Sequence, residues 1–244
     1  MFYRVTNAII APDLTKDLNL DAESLGTLGS AFFYAFALFQ IPMGILLDRV
    51  GPRIVISCFS IIGAAGAFIF SSSNTFLTAF IGRALIGMGM ASVLMGSLKV
   101  FVTRFSSSKF STLSGVIISI GTLGNMLGTS PLAYLNSVIG WRYTLFYSGV
   151  ITIILSCLVF WVLGGKDDLK TVEAKSNQFS DERHGILKSF KLVILNLSFW
   201  QIGAVAFFRY GTFVALQGLW LGPYFMDIKG FTPLATGNIL MMLS

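Results

Sequence analysis

The chain is 244 residues long, 55% hydrophobic and only 11% charged, with a mean hydropathy of +0.78. So much apolar surface exceeds what one soluble core can bury, which excludes a water-soluble globular domain and makes the bilayer the expected solvent. The net charge is +6, but most of the 17 Lys and Arg fall in segments between apolar runs instead of a basic stripe interleaved with aromatics, which excludes a nucleic-acid partner.

The first apolar run, 1–14, is shorter than the roughly 20 residues a helix needs to cross a bilayer. It carries Arg4 and Asn7 on one helical face and reads as part of a longer first span. The stretch 12–24 is polar and acidic, with Asp13, Asp17, Asp21 and Glu23 against Lys16, and reads as a loop in which Asp21 or Ser24 caps the next helix. A second span follows over 25–47.

Residues 44–53, Gly-Ile-Leu-Leu-Asp-Arg-Val-Gly-Pro-Arg, form a tight loop at the membrane surface. Asp48 and Arg49 end the apolar run, Gly51 permits the turn, Pro52 suits the first position of a helix, and Arg53 adds a second positive charge. The third span is 54–70 and the fourth 76–102, with Lys99, Arg104 and Lys109 at its basic end. The fifth, 113–135, holds Gly121, Gly124 and Gly128, small residues that let helices approach. A short turn over 136–141 leads to the sixth span, 143–163.

The longest polar connector, 164–189, closes on a basic run, 186–195, which reads as an interfacial helix. A seventh span occupies 197–225 and an eighth begins at Leu234. Basic residues fall unequally about these spans. Arg49, Arg53, Lys99, Arg104, Lys109 and six more between Lys166 and Lys191 lie on one side, against Lys16, Arg142 and Lys229 on the other. The positive-inside rule then makes the 44–53 loop and the connector cytoplasmic, in a multi-pass protein expected in the plasma (inner) membrane.

Slid on itself without gaps, the chain places Pro12 on Pro223, Leu20 on Phe231 and Gly26 on Gly237, so the first and seventh spans look like counterparts. The expected fold is all-α. A first transmembrane bundle occupies 1–164, a central loop 165–191, and the start of a second bundle 192–244, as in a piece of a longer protein.

The order Gly44, Leu46, Asp48, Arg49, Gly51, Arg53 resembles the loop signature between the second and third helices of the major facilitator superfamily. Pro52 stands where that family usually has a basic residue. The run from Arg83 to Ala91, with Gly87 four residues after the arginine, resembles the family's fourth-helix signature, with Ile86 in place of its usual polar residue. The resemblance implies secondary transport by alternating access, with two bundles rocking about a midplane site. It also implies that Gly44, Asp48, Arg49, Gly51 and Arg53 gate the cytoplasmic side and that Arg83 serves the central cavity and coupling.

Charge inside the membrane is the other functional pointer, because an arginine at a helix centre costs about 2.5–3.5 kcal/mol on insertion scales. Arg4, Arg83 and Arg209 fall in the first, fourth and seventh spans, and no Asp or Glu lies centrally in any span from 25 to 225. Helical spacing puts Arg209, Phe213, Gln217, Trp220 and Tyr224 on one face. Tyr34 and Asn125 add polar groups that either meet a solute or bridge two helices. Arg4, Asn7, Tyr34, Arg83, Asn125, Arg209, Gln217 and Trp220 are therefore the candidate substrate-binding residues. A small anionic substrate would supply the missing negative partner.

The expected partners are that solute, a coupling ion (proton or sodium) and the lipid bilayer. Two other readings stay open, a multidrug efflux antiporter and a non-transporting membrane sensor. The fifth span reads Gly124-Asn-Met-Leu-Gly128-Thr129, without the Pro and final Gly of the drug antiporters' motif. Cys58 and Cys157 sit in apolar runs and His184, the only histidine, in a polar one, so neither a metal cluster nor a disulfide framework is expected. With no paired carboxylates and no nucleophile beside a base, neither an enzyme nor a cofactor is expected.

Overall fold

A computed structural model describes residues 2–164 and 195–243. Its first helix, α1 (Phe2–Leu18), runs straight through Pro12. The polar stretch read as a loop is therefore helical as far as Leu18, and Asn19, Leu20 and Asp21 alone lie between helices. Helix α2 (Ala22–Arg49) starts on Asp21, whose carboxylate accepts the Ser24 amide at 2.8 Å. Of the two residues proposed as a cap, Asp21 does the work.

The turn into α3 (Pro52–Ser71) needs a left-handed backbone, and Gly51 supplies it with φ 90°. Helix α4 (Phe76–Arg104) opens on a reciprocal Thr75–Thr78 capping box. Helix α5 (Ser107–Leu127) stops short of the expected 135. Pro131 has no amide to return to the Leu127 carbonyl, so the span breaks at Gly128–Thr129 and resumes as α6 (Ser130–Val162). Inside α6 the chain turns at Gly140, φ 79° and ψ 160°, close to the 90° and 154° of Gly51. The turn expected over 136–141 thus contracts to a single glycine.

Helix α7 (Leu197–Ala215) continues into two π-helical turns, Leu216–Trp220 and Tyr224–Ile228, on either side of a helical turn at Leu221–Pro223. Pro223 lacks the amide that would bond the Leu219 carbonyl, and a proline ring inside a helix disfavours the regular turn, a sufficient cause for a widened helix. The last element is α8 (Pro233–Met242), capped by Thr232. The connector 165–191, and the expected interfacial run up to residue 194, lie outside the described residues.

Among the described residues five helices, α2 to α6, are long and apolar enough to cross a membrane. They pack with one another and with α1. Helices α3 and α4 meet backbone to backbone, since a Cβ on Gly89 would lie 2.4 Å from the Gly63 nitrogen. Helices α3 and α6 exchange serine hydroxyls, Ser57 to the Ser156 carbonyl at 3.3 Å and Ser156 to the Ser57 carbonyl at 2.9 Å.

The core gathers Ile10, Leu14, Leu28, Phe32, Phe70, Ile86, Trp141 and Leu145. Helix α1 lies at the centre of the molecule, buried on every side from Val5 to Ala11. Helices α2, α5 and α6 cover part of it, and the π-helical end of span seven packs on another side, where a Cβ on Gly222 would lie 2.3 Å from the Ala8 carbonyl oxygen. A helix apolar around its whole circumference is a helix with neighbours all around it.

Candidate functional site

Arg4 sits on α1 where that helix passes α7. Its guanidinium donates to the Tyr210 hydroxyl and lies 5.3 Å from the centre of the Tyr210 ring. This contact orients the arginine but brings no carboxylate to its charge.

Arg83 is placed differently. It is 0% exposed, enclosed by α1, α2 and α3, and one nitrogen (Nη1) donates to the Tyr3 carbonyl at 3.1 Å. The rings of Phe32 and Phe70 flank it at 5.4 and 5.7 Å, while Nε and Nη2 have no partner. Arg209 is exposed on α7 and makes no hydrogen bond or ion pair among the described residues. No carboxylate lies in salt-bridge range of any of the three among the described residues.

Asn7 and Asn125 are both buried, at 2% and 6% exposure, and the carboxamide oxygen of each lacks a partner. Tyr34 is 76% exposed and heads a stripe with Leu38, Ile41 and Ile45 along α2. Gln217 is buried and donates to the Leu240 carbonyl at 3.3 Å, joining span seven to α8.

The single face expected for Arg209, Phe213, Gln217, Trp220 and Tyr224 does not persist. Gln217 is buried, while Arg209 and Trp220 are exposed. The π-helical turns add residues to each turn, so the 3.6-residue register slips between Arg209 and Tyr224.

A cavity of about 160 Å³ brings Asn7 and Trp220 together. Its walls come from α1, the start of α2 and the π-helical segment, with Leu25, Gly26, Leu219 and Pro223 as apolar surface. Thr15, Asp21, Ala22 and Asp227 complete the lining, and none of the three arginines reaches it. Sequence reading missed this group because Asp21 was read as a cap only and Asp227 lies beyond the span.

The residues expected to gate lie at the other end of α2. Asp48 forms an ion pair with Lys99, joining α2 to α4. Arg53 lies 4.0 Å from the Phe160 ring centre and donates from Nε to the Phe160 carbonyl at 2.9 Å; Arg104 donates to the Leu163 carbonyl at 2.8 Å. Two arginines thus occupy carbonyls that the end of α6 leaves without helical partners. Arg49 is exposed with no partner among the described residues, and Gly44 has open space where a Cβ would stand.

A comparable clasp closes the opposite end. Arg142 donates to the Ser73 carbonyl at 2.9 Å and faces Asp17 at 3.4 Å, while the Trp141 indole donates to Asp17 at 3.0 Å. A sequence signal for it exists. Gly140-Trp141-Arg142 repeats the pattern of Gly51-Pro52-Arg53, a turn glycine two residues before an arginine.

The family model for the Major Facilitator Superfamily matches residues 1–244. Among curated proteins, the chain is 24% identical to "Uncharacterized transporter YybO" of Bacillus subtilis (strain 168), over 97% of this chain and 56% of that protein. It is 28% identical to "Probable galactarate/D-glucarate transporter GudP" of Escherichia coli (strain K12), over 63% of this chain and 35% of that protein. It is 23% identical to "Probable sulfoacetate transporter SauU" of Cupriavidus necator, over 93% of this chain and 54% of that protein. The chain spans about half the length, or less, of these curated relatives.

Proposed function

The chain belongs to the Major Facilitator Superfamily, and from that membership we propose that it serves in carrying a small organic anion across the membrane by alternating access. The observation that carries the reading is Arg4. It is an arginine at the contact of α1 with α7, held by the Tyr210 phenol and paired with no carboxylate among the described residues. A planar guanidinium with free donors suits a carboxylate or sulfonate, which it binds through two parallel hydrogen bonds. The names of relatives for galactarate, D-glucarate and sulfoacetate, all organic anions, support the same class.

In this reading Arg4, Asn7 and Trp220 belong to the path between the bundles, with Arg209 and Gln217 on its far side. Asp48, Arg49 and Arg53 take part in closing the basic, cytoplasmic face, and Arg83 acts through Tyr3 on α1. A proton or sodium ion provides the coupling, in the plasma (inner) membrane.

Solute counterflow tests it. The whole protein, reconstituted in vesicles loaded with unlabelled D-glucarate, galactarate or sulfoacetate, should transiently concentrate the labelled anion from outside. A sensor would show no exchange, and a drug antiporter would exchange cationic or apolar compounds instead.

A further inference from the structure

We propose that spans seven and eight close a gate against α1, α2 and α6 at the end of the molecule opposite the 44–53 loop, with the Ser130–Asn238 hydrogen bond as its latch. The assignment rests on the alternating-access reading, in which this end faces outward, and it names the residues that part there in each cycle.

The seam is built on three glycines, each where two elements cross closely. A Cβ on Gly222 would lie 2.3 Å from the Ala8 carbonyl oxygen, one on Gly29 2.4 Å from the Leu219 side chain, and one on Gly237 3.0 Å from the Ser130 Cα. Hydrogen in place of a side chain is what lets these surfaces meet. Beside them Leu240, 0% exposed, packs on Ile9, Leu132 and Ala133.

The Ser130 hydroxyl donates to the Asn238 carboxamide oxygen at 2.7 Å, joining the start of α6 to α8. An exposed hydrogen bond between neutral groups contributes little net free energy, because water replaces either partner. It therefore fixes the register of the seam without preventing it from opening.

The two ends of span seven differ. Every residue from Leu197 to Phe213 is exposed, so no face of α7 is covered there, whereas Val214, Gln217 and Gly222 are buried. The change falls at the π-helical turn Leu216–Trp220, and such turns are places where helices bend. The molecule is thus shut at one end of the seam and open toward the 44–53 loop, with the Arg4–Tyr210 contact between the two.

Ser130→Cys and Asn238→Cys are introduced together into the whole protein, its other cysteines replaced by serine, and counterflow of labelled D-glucarate, galactarate or sulfoacetate is followed in vesicles. Oxidation, or a short bis-methanethiosulfonate, should join the pair and cut exchange at least about tenfold. Dithiothreitol should restore it, and neither single variant should respond. A joined pair that exchanges at full rate, or two cysteines that never join, would overturn the proposal.

A second measurement needs no substrate. Ala133→Cys, at a position 2% exposed beside Leu240, is labelled with a membrane-impermeant maleimide with and without Gly237→Leu. Leucine favours a helix more than glycine, so α8 should form, but its side chain meets the Ser130 backbone whenever the seam is shut. Labelling should quicken at least about fivefold as the open state gains population. Ala67→Cys, at a core position 0% exposed, should stay unlabelled in both backgrounds. An unchanged rate at 133, or equal labelling at 67, would overturn the gate. Faster labelling in a protein that exchanges no organic anion would uphold the gate and count against the anion reading instead.

Discussion

Ser57 and Ser156 exchange hydrogen bonds, each hydroxyl donating to the other's backbone carbonyl, at 3.3 and 2.9 Å. The exchange lies between the two ends of the α3–α6 pair, where Arg53 holds the Phe160 carbonyl and Arg142 holds the Ser73 carbonyl, both at 2.9 Å. Each arginine stands two residues after a glycine of positive φ, Gly51 at 90° and Gly140 at 79°. The two helices thus grip each other in the same way from opposite ends.

Interhelical hydrogen bonds of this kind are worth about 0.6 kcal/mol on average inside a bilayer. Ser57→Ala and Ser156→Ala should each lower the unfolding free energy of the whole protein by that order in a denaturant titration. Ser57→Leu should cost more, because its branched side chain would wedge the helices apart. An unchanged Ser57→Leu would mean the helices do not pack here.

Arg83 separates a stability role from a transport role. Its guanidinium is fully buried with two nitrogens unpaired, so a methionine of similar length should leave the unfolding temperature the same or higher. Exchange of labelled anion should nevertheless fall about tenfold or more if the arginine acts on α1 through the Tyr3 carbonyl. Full exchange in Arg83→Met would leave this arginine no part in transport.

The fold was legible because hydropathy, turn glycines and capping residues are local signals. The membrane spans, the Gly51 turn and the Asp21 cap follow from neighbours in sequence. The break at Gly128–Thr129 and the slip of register after α7 hinge on Pro131 and Pro223, whose effect reaches carbonyls four residues back. The central position of α1 was hidden because a run of only 14 apolar and polar residues says little about how many neighbours surround it. The cavity was hidden for another reason. Asn7, Asp21 and Asp227 come from three elements, and no spacing rule connects them.

Asp48 and Lys99 pair at the protein surface, where such bridges contribute about 0.2–1 kcal/mol. Asp48→Asn should therefore insert and fold normally, yet lose most uptake if the pair belongs to the closing face. Exchanging the two, with Asp48→Lys and Lys99→Asp together, should recover part of the loss. Unchanged uptake in Asp48→Asn would remove the latch role.

Acid should weaken the start of α2. Hydrogen bonds from Ser24 lower the Asp21 carboxyl, so its contribution is complete above the ordinary carboxylate value of 3.8 and fades as pH falls through the lower folded value. Asp21→Asn keeps a cap but has no carboxylate to protonate there, so it should lose that part of the acid sensitivity. Unfolding temperatures of both proteins, followed from neutral pH into acid, check it. Parallel curves would contradict the linkage.

The most direct test of anion transport is labelled-anion counterflow by the whole protein in vesicles, comparing wild type with Arg4→Lys and Arg4→Gln. Wild type should exchange D-glucarate, galactarate or sulfoacetate. Arg4→Lys should keep a reduced rate, since an ammonium retains the charge but not the paired geometry. Arg4→Gln should lose about tenfold or more. Exchange of cationic compounds with none of any organic anion, or full anion exchange in Arg4→Gln, would contradict it.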